Sequence, residues 1–355
     1  MQINTIKTLL LSLFLSVSFL GYAFEDETGK DEPVNTNELI FHHISDSHSF
    51  HVAGDFSIPL PIILWTENGL VTFMSSEFHH DTNGEVIVEK KDQKFVNLHD
   101  KIYQLNEGTS ELELNAEHHP ENAARPWDIS ITKNVFSMFL SMIIILLIFL
   151  SSAKSYRKSS LGMPSGIGKL VEPIIVFVRD EIAIPNIGAK KYHKYMPFLL
   201  TLFFFIWINN LIGIIPFFPF SSNLSGNITF TMALAVVTFV IMLFSSKKYY
   251  WKHMLWMPGL PIPMKLFLAP IELIGMFVKP VALMIRLFAN ITAGHIIVLS
   301  LISLIFILET YWISPLSIVF ALFISIIEVL VVAIQAYIFT LLSALYFGQV
   351  LEEEH

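Results

Sequence analysis

The sequence predicts an all-α polytopic membrane protein: five membrane-crossing helices, a surface amphipathic helix, and a small β-containing N-terminal extracytoplasmic segment. Three observations carry this. Only 15% of the 355 residues are charged and 54% are hydrophobic, where a soluble domain carries about a quarter charged residues. The deficit is local. From Val135 onward the apolar runs reach the roughly 20 residues that a helix needs to cross a hydrocarbon core, whereas the chain before that point reads as soluble. Charge divides at the same place. Residues 24–130 hold 21 Asp and Glu against 6 Lys and Arg, while residues 131–355 hold 9 against 15, which indicates two environments.

The elements come in order along the chain. Residues 1–23 read as a secretory signal peptide, with Lys7 before the short apolar core Leu9–Leu20 and Gly21-Tyr22-Ala23 as a small-residue cleavage site. The alternative is an uncleaved anchor, and either reading exports residues 24–130. In residues 24–130, Asn68-Gly69 lies between Ile62–Trp65 and Leu70–Phe73, a hairpin pattern, and Asn83-Gly84 precedes a strand at Val86–Val88. His42, His43, His48, His51, His79, His80, His99, His118 and His119 all fall here. Their spacings fit no defined ligand pattern, so they are expected as solvated surface histidines with no metal. Residues 131–355 form the transmembrane domain. Its spans are expected at Val135–Ser152, Met196–Phe218 (ended by Pro216 and Pro219), Ile228–Phe244, Pro263–Leu308 and Pro315–Val350. The amphipathic stretch Lys169–Val178, followed by Arg179-Asp180-Glu181, is expected along the membrane surface.

Lys and Arg in short loops set the orientation. Lys154, Arg157, Lys158, Lys190, Lys191, Lys194, Lys247, Lys248 and Lys252 fall on one side, while the turns at Phe220–Asn227 and Tyr311–Ser314 have neither. The N-terminus is therefore expected outside and Leu351–His355 in the cytoplasm.

The informative residues are those a bilayer should exclude. Arg286 sits within Leu283-Met284-Ile285-Arg286-Leu287-Phe288. A charge at mid-membrane costs at least ~2.5 kcal/mol, and a guanidinium does not deprotonate in proteins. Its helical face carries Ala282, Ala289, Asn290, Ala293, Ile297 and Ser300, a mostly small stripe that lets a partner helix approach. The plainer reading is intrachain packing with Arg286 capped by Glu328. His295 lies about 13 Å along the axis from Arg286, and Glu328 and Gln335 share a face about 10 Å apart in height. If Gln335 is level with Arg286, Glu328 falls near His295, giving two titratable groups above a fixed cation.

The run Lys279-Pro280-Val281-Ala282-Leu283-Met284-Ile285-Arg286-Leu287-Phe288-Ala289-Asn290-Ile291-Thr292-Ala293-Gly294-His295 resembles the signature of the F-type ATP synthase a subunit. Glu328 through Gln335-Ala336-Tyr337-Ile338-Phe339, Phe177–Ala183 and Asn209–Pro216 are similar to other segments of that family. The resemblance covers about residues 130–351 and implies a proton-translocating stator against a rotating ring of c subunits. Other implied partners are b-type peripheral stalk subunits and, indirectly, the catalytic head. Arg286 matches the family's essential arginine, which attracts the ring carboxylate and separates two half-channels. Asn290 and Gln335 match its polar neighbours, and His295 and Glu328 the titratable pair of the outer half-channel. Those two are exchanged relative to many bacterial relatives, as in mitochondrial members, and Ala289 stands where Gly is frequent. The family fold makes the last two helices a long, tilted hairpin and places Glu272 near the cytoplasmic half-channel. The implied location is the bacterial inner membrane.

Much is excluded. There is no cysteine, hence no disulfide or thiol chemistry. No G-x-x-x-x-G-K-[ST] phosphate loop is present, so ATP chemistry falls to other subunits, and no cofactor is implied. The soluble part has no basic face for nucleic acid. The rival reading is a self-contained proton-coupled secondary transporter, which should show paired internal repeats; none is found in the sequence.

Overall fold

The computed structural model describes residues 45–53, 56–109, 111–115, 119–158, 163, 165–215, 222–257, 259, 261–307 and 314–351. The leader, His42, His43, His118 and the stop at Pro216 and Pro219 lie outside the described residues. Contacts divide the chain into two compact units.

Among the described residues, the first unit holds nine strands and the start of the first span. Strands β1 (Ser49–Ala53) and β2 (Phe56–Pro59) pair with each other. Strands β3 (Pro61–Thr66), β4 (Gly69–Met74) and β9 (Trp127–Asp128) form a sheet in the order β4-β3-β9. Strands β5 (Val88–Lys90), β6 (Gln93–Leu98), β7 (Lys101–Leu105) and β8 (Ala123–Ala124) form another in sequence order. The Asn68-Gly69 hairpin forms as expected: Thr66 pairs with Gly69, and Gly69 takes φ +100°, a left-handed conformation open to glycine at no steric cost. Alternation places Ile62, Leu64, Val71 and Phe73 inward, where they pack with Phe78, Val88, Phe95 and Ile102.

Two expectations change here. The strand expected at Val86–Val88 begins only at Val88 and runs to Lys90, because its pairing is set by the turn to β6. That turn uses Lys91 and Asp92 at φ 51° and 60°, and the next uses His99 and Asp100 at 49° and 59°, two-residue turns without glycine. Second, His48 is not solvated: it is 6% exposed and its Nε2 lies 3.4 Å from Asp128 Oδ2. Burial pushes the Asp128 carboxyl up, but the neighbouring His48 and hydrogen bonding from Ser130 outweigh it and hold the group at about 2. His79, His80, His99 and His119 remain at least partly accessible in turns and loops.

The same unit fastens the segment to the first span, α1 (Lys133–Lys158). Lys133 N donates to Ser47 O at 2.9 Å and Asn134 N to Asp46 Oδ1 at 3.2 Å, which satisfies donors that a helix start leaves free. Ser222 Oγ donates to Asn134 Oδ1 at 2.5 Å. Burial pushes the Asp46 carboxyl above its usual range. This capping explains why α1 begins before the apolar run that marked it.

The second unit is helical. Helix α2 (Gly168–Phe177) covers the expected amphipathic stretch, but Arg179-Asp180-Glu181 does not end it: the chain continues through a π-turn (Val178–Ala183) and a single turn (Ile184–Ile187). Gly188, at φ +94°, breaks the run. Helix α3 (Tyr192–Gly213) starts four residues before the expected span, because Tyr195 is buried and stacks on Phe347 at 5.0 Å. Helix α4 (Ile228–Ser245) starts at Asn227, whose Oδ1 accepts from Thr229 N at 2.9 Å. A short helix α5 (Lys248–Leu255) was not expected. The long helices α6 (Ile262–Ile307) and α7 (Ser314–Leu351) complete the unit. Val178, Ile182, Leu199, Ile206, Phe339 and Phe347 lie in its core. A Cβ on Gly348 would collide with the Asn186 carbonyl, so α7 packs there only as glycine.

Among the described residues, five helices (α1, α3, α4, α6 and α7) are long and apolar enough to cross a membrane. The chain is a multi-pass membrane protein.

Candidate functional site

The polar residues of the sequence argument meet along α6 and α7, which lie antiparallel and are tied by three polar contacts. Lys279 Nζ donates to Gln349 Oε1 at 2.7 Å, Asn290 Nδ2 donates to Gln335 Oε1 at 2.9 Å, and His295 Nε2 lies 3.8 Å from Glu328 Oε1. Side chains that are 70, 45 and 33 positions apart are thus brought into one register.

Helix α6 presents two faces. Leu283, Leu287, Ile291 and Leu299 are buried at no more than 4% exposure. Ala282, Arg286, Ala289, Asn290, Ala293, Ile297 and Ser300 are all exposed, so the small stripe points away from the chain's own core. Among the described residues Arg286 makes no hydrogen bond or ion pair. The plainer reading, with Glu328 capping Arg286, fails because Glu328 lies beside His295.

Glu328 is 6% exposed and Gln335 1% exposed. Gly294 makes room for the carboxylate: a Cβ there would lie 2.8 Å from Glu328 Oε1 and 3.1 Å from its Cδ. Buried polar atoms without a protein hydrogen-bond partner among the described residues include Glu328 Oε1, Gln335 Nε2 and Thr292 Oγ1. Such groups are costly unless water or another polar group reaches them.

Gln335 is not level with Arg286 as expected. Nine residues separate His295 from Arg286, about 13 Å, but only seven separate Glu328 from Gln335, about 10 Å. A pair in register at His295 and Glu328 puts Gln335 level with about Phe288, between Arg286 and Asn290, and its side chain turns to Asn290, one turn from Arg286, to accept the hydrogen bond. Glu272 lies apart from these groups, exposed on α6 and 14 residues before Arg286, about 21 Å along the axis.

Sequence reasoning missed Lys279, Gln349, Tyr346 and Gly294 as site residues. Lys279 Nζ also lies 5.3 Å from the Tyr346 ring centroid. One signal was present: Lys279 stands seven residues from both Glu272 and Arg286, which puts the three on one side of a helix. Gln349 and Tyr346, on the other helix, carried no such signal.

Residues 135–348, which contain most of this arrangement, match the family described as ATP synthase A chain. The chain belongs to that family. "ATP synthase subunit a" of Chloroherpeton thalassium is 43% identical over 243 residues, covering 67% of this chain and 72% of the relative. "ATP synthase subunit a 2" of Prosthecochloris aestuarii is 38% identical over 281 residues, covering 77% and 81%. "ATP synthase subunit a" of Anaeromyxobacter sp. is 39% identical over 241 residues, covering 64% and 57%. Separately, residues 39–129 match a family described as Domain of unknown function (DUF8433). As a member of the ATP synthase A chain family, this chain is part of an ATP synthase complex in a membrane.

Proposed function

We propose that this ATP synthase a subunit translocates protons as the stator of an F-type membrane sector, with Arg286 as the fixed cation facing the carboxylate of a c-subunit ring. One observation carries the reading: Arg286 stands exposed on a stripe of small residues with no hydrogen-bonding or ion-pair partner of its own among the described residues. An unpaired charge at bilayer depth is costly, and the economical remedy is a counter-charge from another chain that packs on that stripe. The moving carboxylate is attracted to Arg286 after losing its proton and released on regaining one, and the fixed guanidinium keeps the two aqueous half-channels from joining.

His295 and Glu328 form the inlet relay. Their 3.8 Å separation is within reach of a proton step through small side-chain motion or one water. The Asn290–Gln335 hydrogen bond fixes the polar floor one turn from Arg286. Glu272 serves the cytoplasmic half-channel, with Lys279 between it and Arg286. Helices α6 and α7 are about 69 and 57 Å long against a hydrocarbon core of about 30 Å, so they cross as a steeply tilted hairpin along the ring. Driving one proton through 100 mV supplies about 2.3 kcal/mol.

The orientation rests on the Lys and Arg of the short loops: N-terminal segment outside, C-terminus in the cytoplasm, in a bacterial inner membrane. Residues 1–23 are the signal peptide, 24–130 the exported segment and 131–355 the transmembrane domain, with b-type stalk subunits as further partners. A self-contained transporter would have no use for an outward-facing, unpaired arginine. The test is Arg286→Ala in the assembled complex. Proton-driven ATP synthesis should fall to background while ATP hydrolysis by the detached head is unchanged; retained synthesis removes Arg286 from the mechanism.

A further inference from the structure

The exported segment carries an apolar face that neither its own core nor the proton pathway uses. In the sheet β4-β3-β9, Trp65 pairs with both Leu70 and Trp127. The next rung joins Ile63 to Thr72 and, through Ile129 N donating to Ile63 O, to Ile129. A third joins Pro61 to Met74 and Ile131. Trp65 is 59% exposed, Trp127 80%, Ile129 57%, Leu70 45% and Met74 40%; Pro61, Ile63 and Ile131 are half-buried. The opposite face of the same strands supplies the core.

Eight of these nine positions are apolar, the ninth is threonine, and none is charged. That composition sits within a segment of 21 acidic and 6 basic residues, so acids have been kept off this face. The residues flanking its Trp rung are Arg125, Lys91, whose Nζ donates to Leu70 O at 2.6 Å, and one acid, Glu67. An uncharged face with two tryptophans and bordering cations is the composition that settles at a headgroup layer.

The face is also tethered to a lipid-facing surface. Trp127 stands six residues before Lys133, where α1 begins, hence no more than about 20 Å away along an extended chain. Ser47 and Asp46 of the same unit cap the first turn of α1. Helix α1 then exposes Phe139, Met142, Ile143, Leu146, Leu147 and Leu150, the apolar surface of a span.

We propose that the outer face of β4-β3-β9 lies on the bilayer, with Trp65 and Trp127 in the phospholipid headgroup layer of the leaflet where α1 begins. The segment is then held flat against the membrane at the mouth of the first span.

This chain has no cysteine of its own, so a single introduced cysteine in it can be labelled before assembly with the other subunits. A nitroxide is placed at Thr72→Cys or, as a second position, Met74→Cys, with exposed Glu107→Cys as the control. The assembled ATP synthase is reconstituted into vesicles of phosphatidylethanolamine and phosphatidylglycerol, and collision rates with oxygen and with a water-soluble nickel chelate are compared. The proposal expects an oxygen-to-nickel ratio severalfold higher at 72 and 74 than at 107, falling to the control value when Trp65→Ser and Trp127→Ser are added. A water-like ratio at both positions overturns it. So does shielding from both reagents, which would mean that another protein surface, a second copy or another subunit, covers the face.

Discussion

Gly294→Ala probes the geometry of the proposed inlet without touching a titratable group. The new Cβ would lie 2.8 Å from Glu328 Oε1, where ordinary contact begins at about 3.4 Å. Glu328 must then move by about half an ångström or more, and the buried side of α7 leaves little room: Val332, Ala336 and Phe339 are all fully buried. Overpacking of this kind costs about 1–3 kcal/mol. At a factor of ten per 1.4 kcal/mol, the conformer with Glu328 beside His295 is depleted by about 5- to 140-fold. Proton-driven ATP synthesis in inverted vesicles should fall by a comparable factor, with hydrolysis by the detached head unchanged. Adding Glu328→Asp withdraws the carboxylate by one methylene and should recover part of the loss. Unaltered synthesis in Gly294→Ala, or no recovery in the double variant, refutes a relay that depends on this contact.

Exchanging the pair, His295→Glu with Glu328→His, should restore more synthesis than either single change, since acid and base still meet across the same contact; an equal or deeper loss in the double variant separates the two residues. In the N-terminal segment, the Asp128 carboxyl is held at about 2, below the ordinary value of 3.8. Its stabilisation is therefore complete above about pH 4 and lost as pH falls through about 2. Hydrogen exchange of β3 and β9 should show that loosening in the parent chain, whereas Asp128→Ala should be looser at neutral pH, by about 1–3 kcal/mol for a buried histidine left without a polar partner, and lack the acid transition. Identical profiles would mean that the His48–Asp128 contact contributes nothing to the segment.

What the sequence revealed and what it hid divide along physical lines. Spans are written locally, as apolar runs of sufficient length, so all five were legible; their ends were not, because α1 is extended by a cap from Ser47 and Asp46 and α3 by the packing of Tyr195 on Phe347. The hairpin at Asn68-Gly69 announced itself through glycine. Those at Lys91-Asp92 and His99-Asp100 did not, because non-glycine residues take the left-handed conformation there. His48 looked like one surface histidine among many, since the acid that it meets lies 80 positions on. At the site, supposing Gln335 level with Arg286 brought Glu328 near His295, and the two lie 3.8 Å apart, while the side chain of Gln335 meets Asn290, one turn from Arg286. Gly294 was invisible for a different reason: a close approach has no signature until the approaching side chain is seen.

The central claim is that another chain's carboxylate comes to the small stripe around Arg286, and disulfide trapping addresses it directly. Ala293→Cys on the stripe, in a chain otherwise free of cysteine, is paired with a cysteine one helical turn from the ring carboxylate in the c subunit of the assembled complex. Rapid cross-linking under oxidation, with proton flow stopped and then restored by reduction, is the predicted result. Failure to cross-link, together with free labelling of Ala293→Cys by a lipid-soluble maleimide in the intact complex, would place lipid on that stripe and contradict the account.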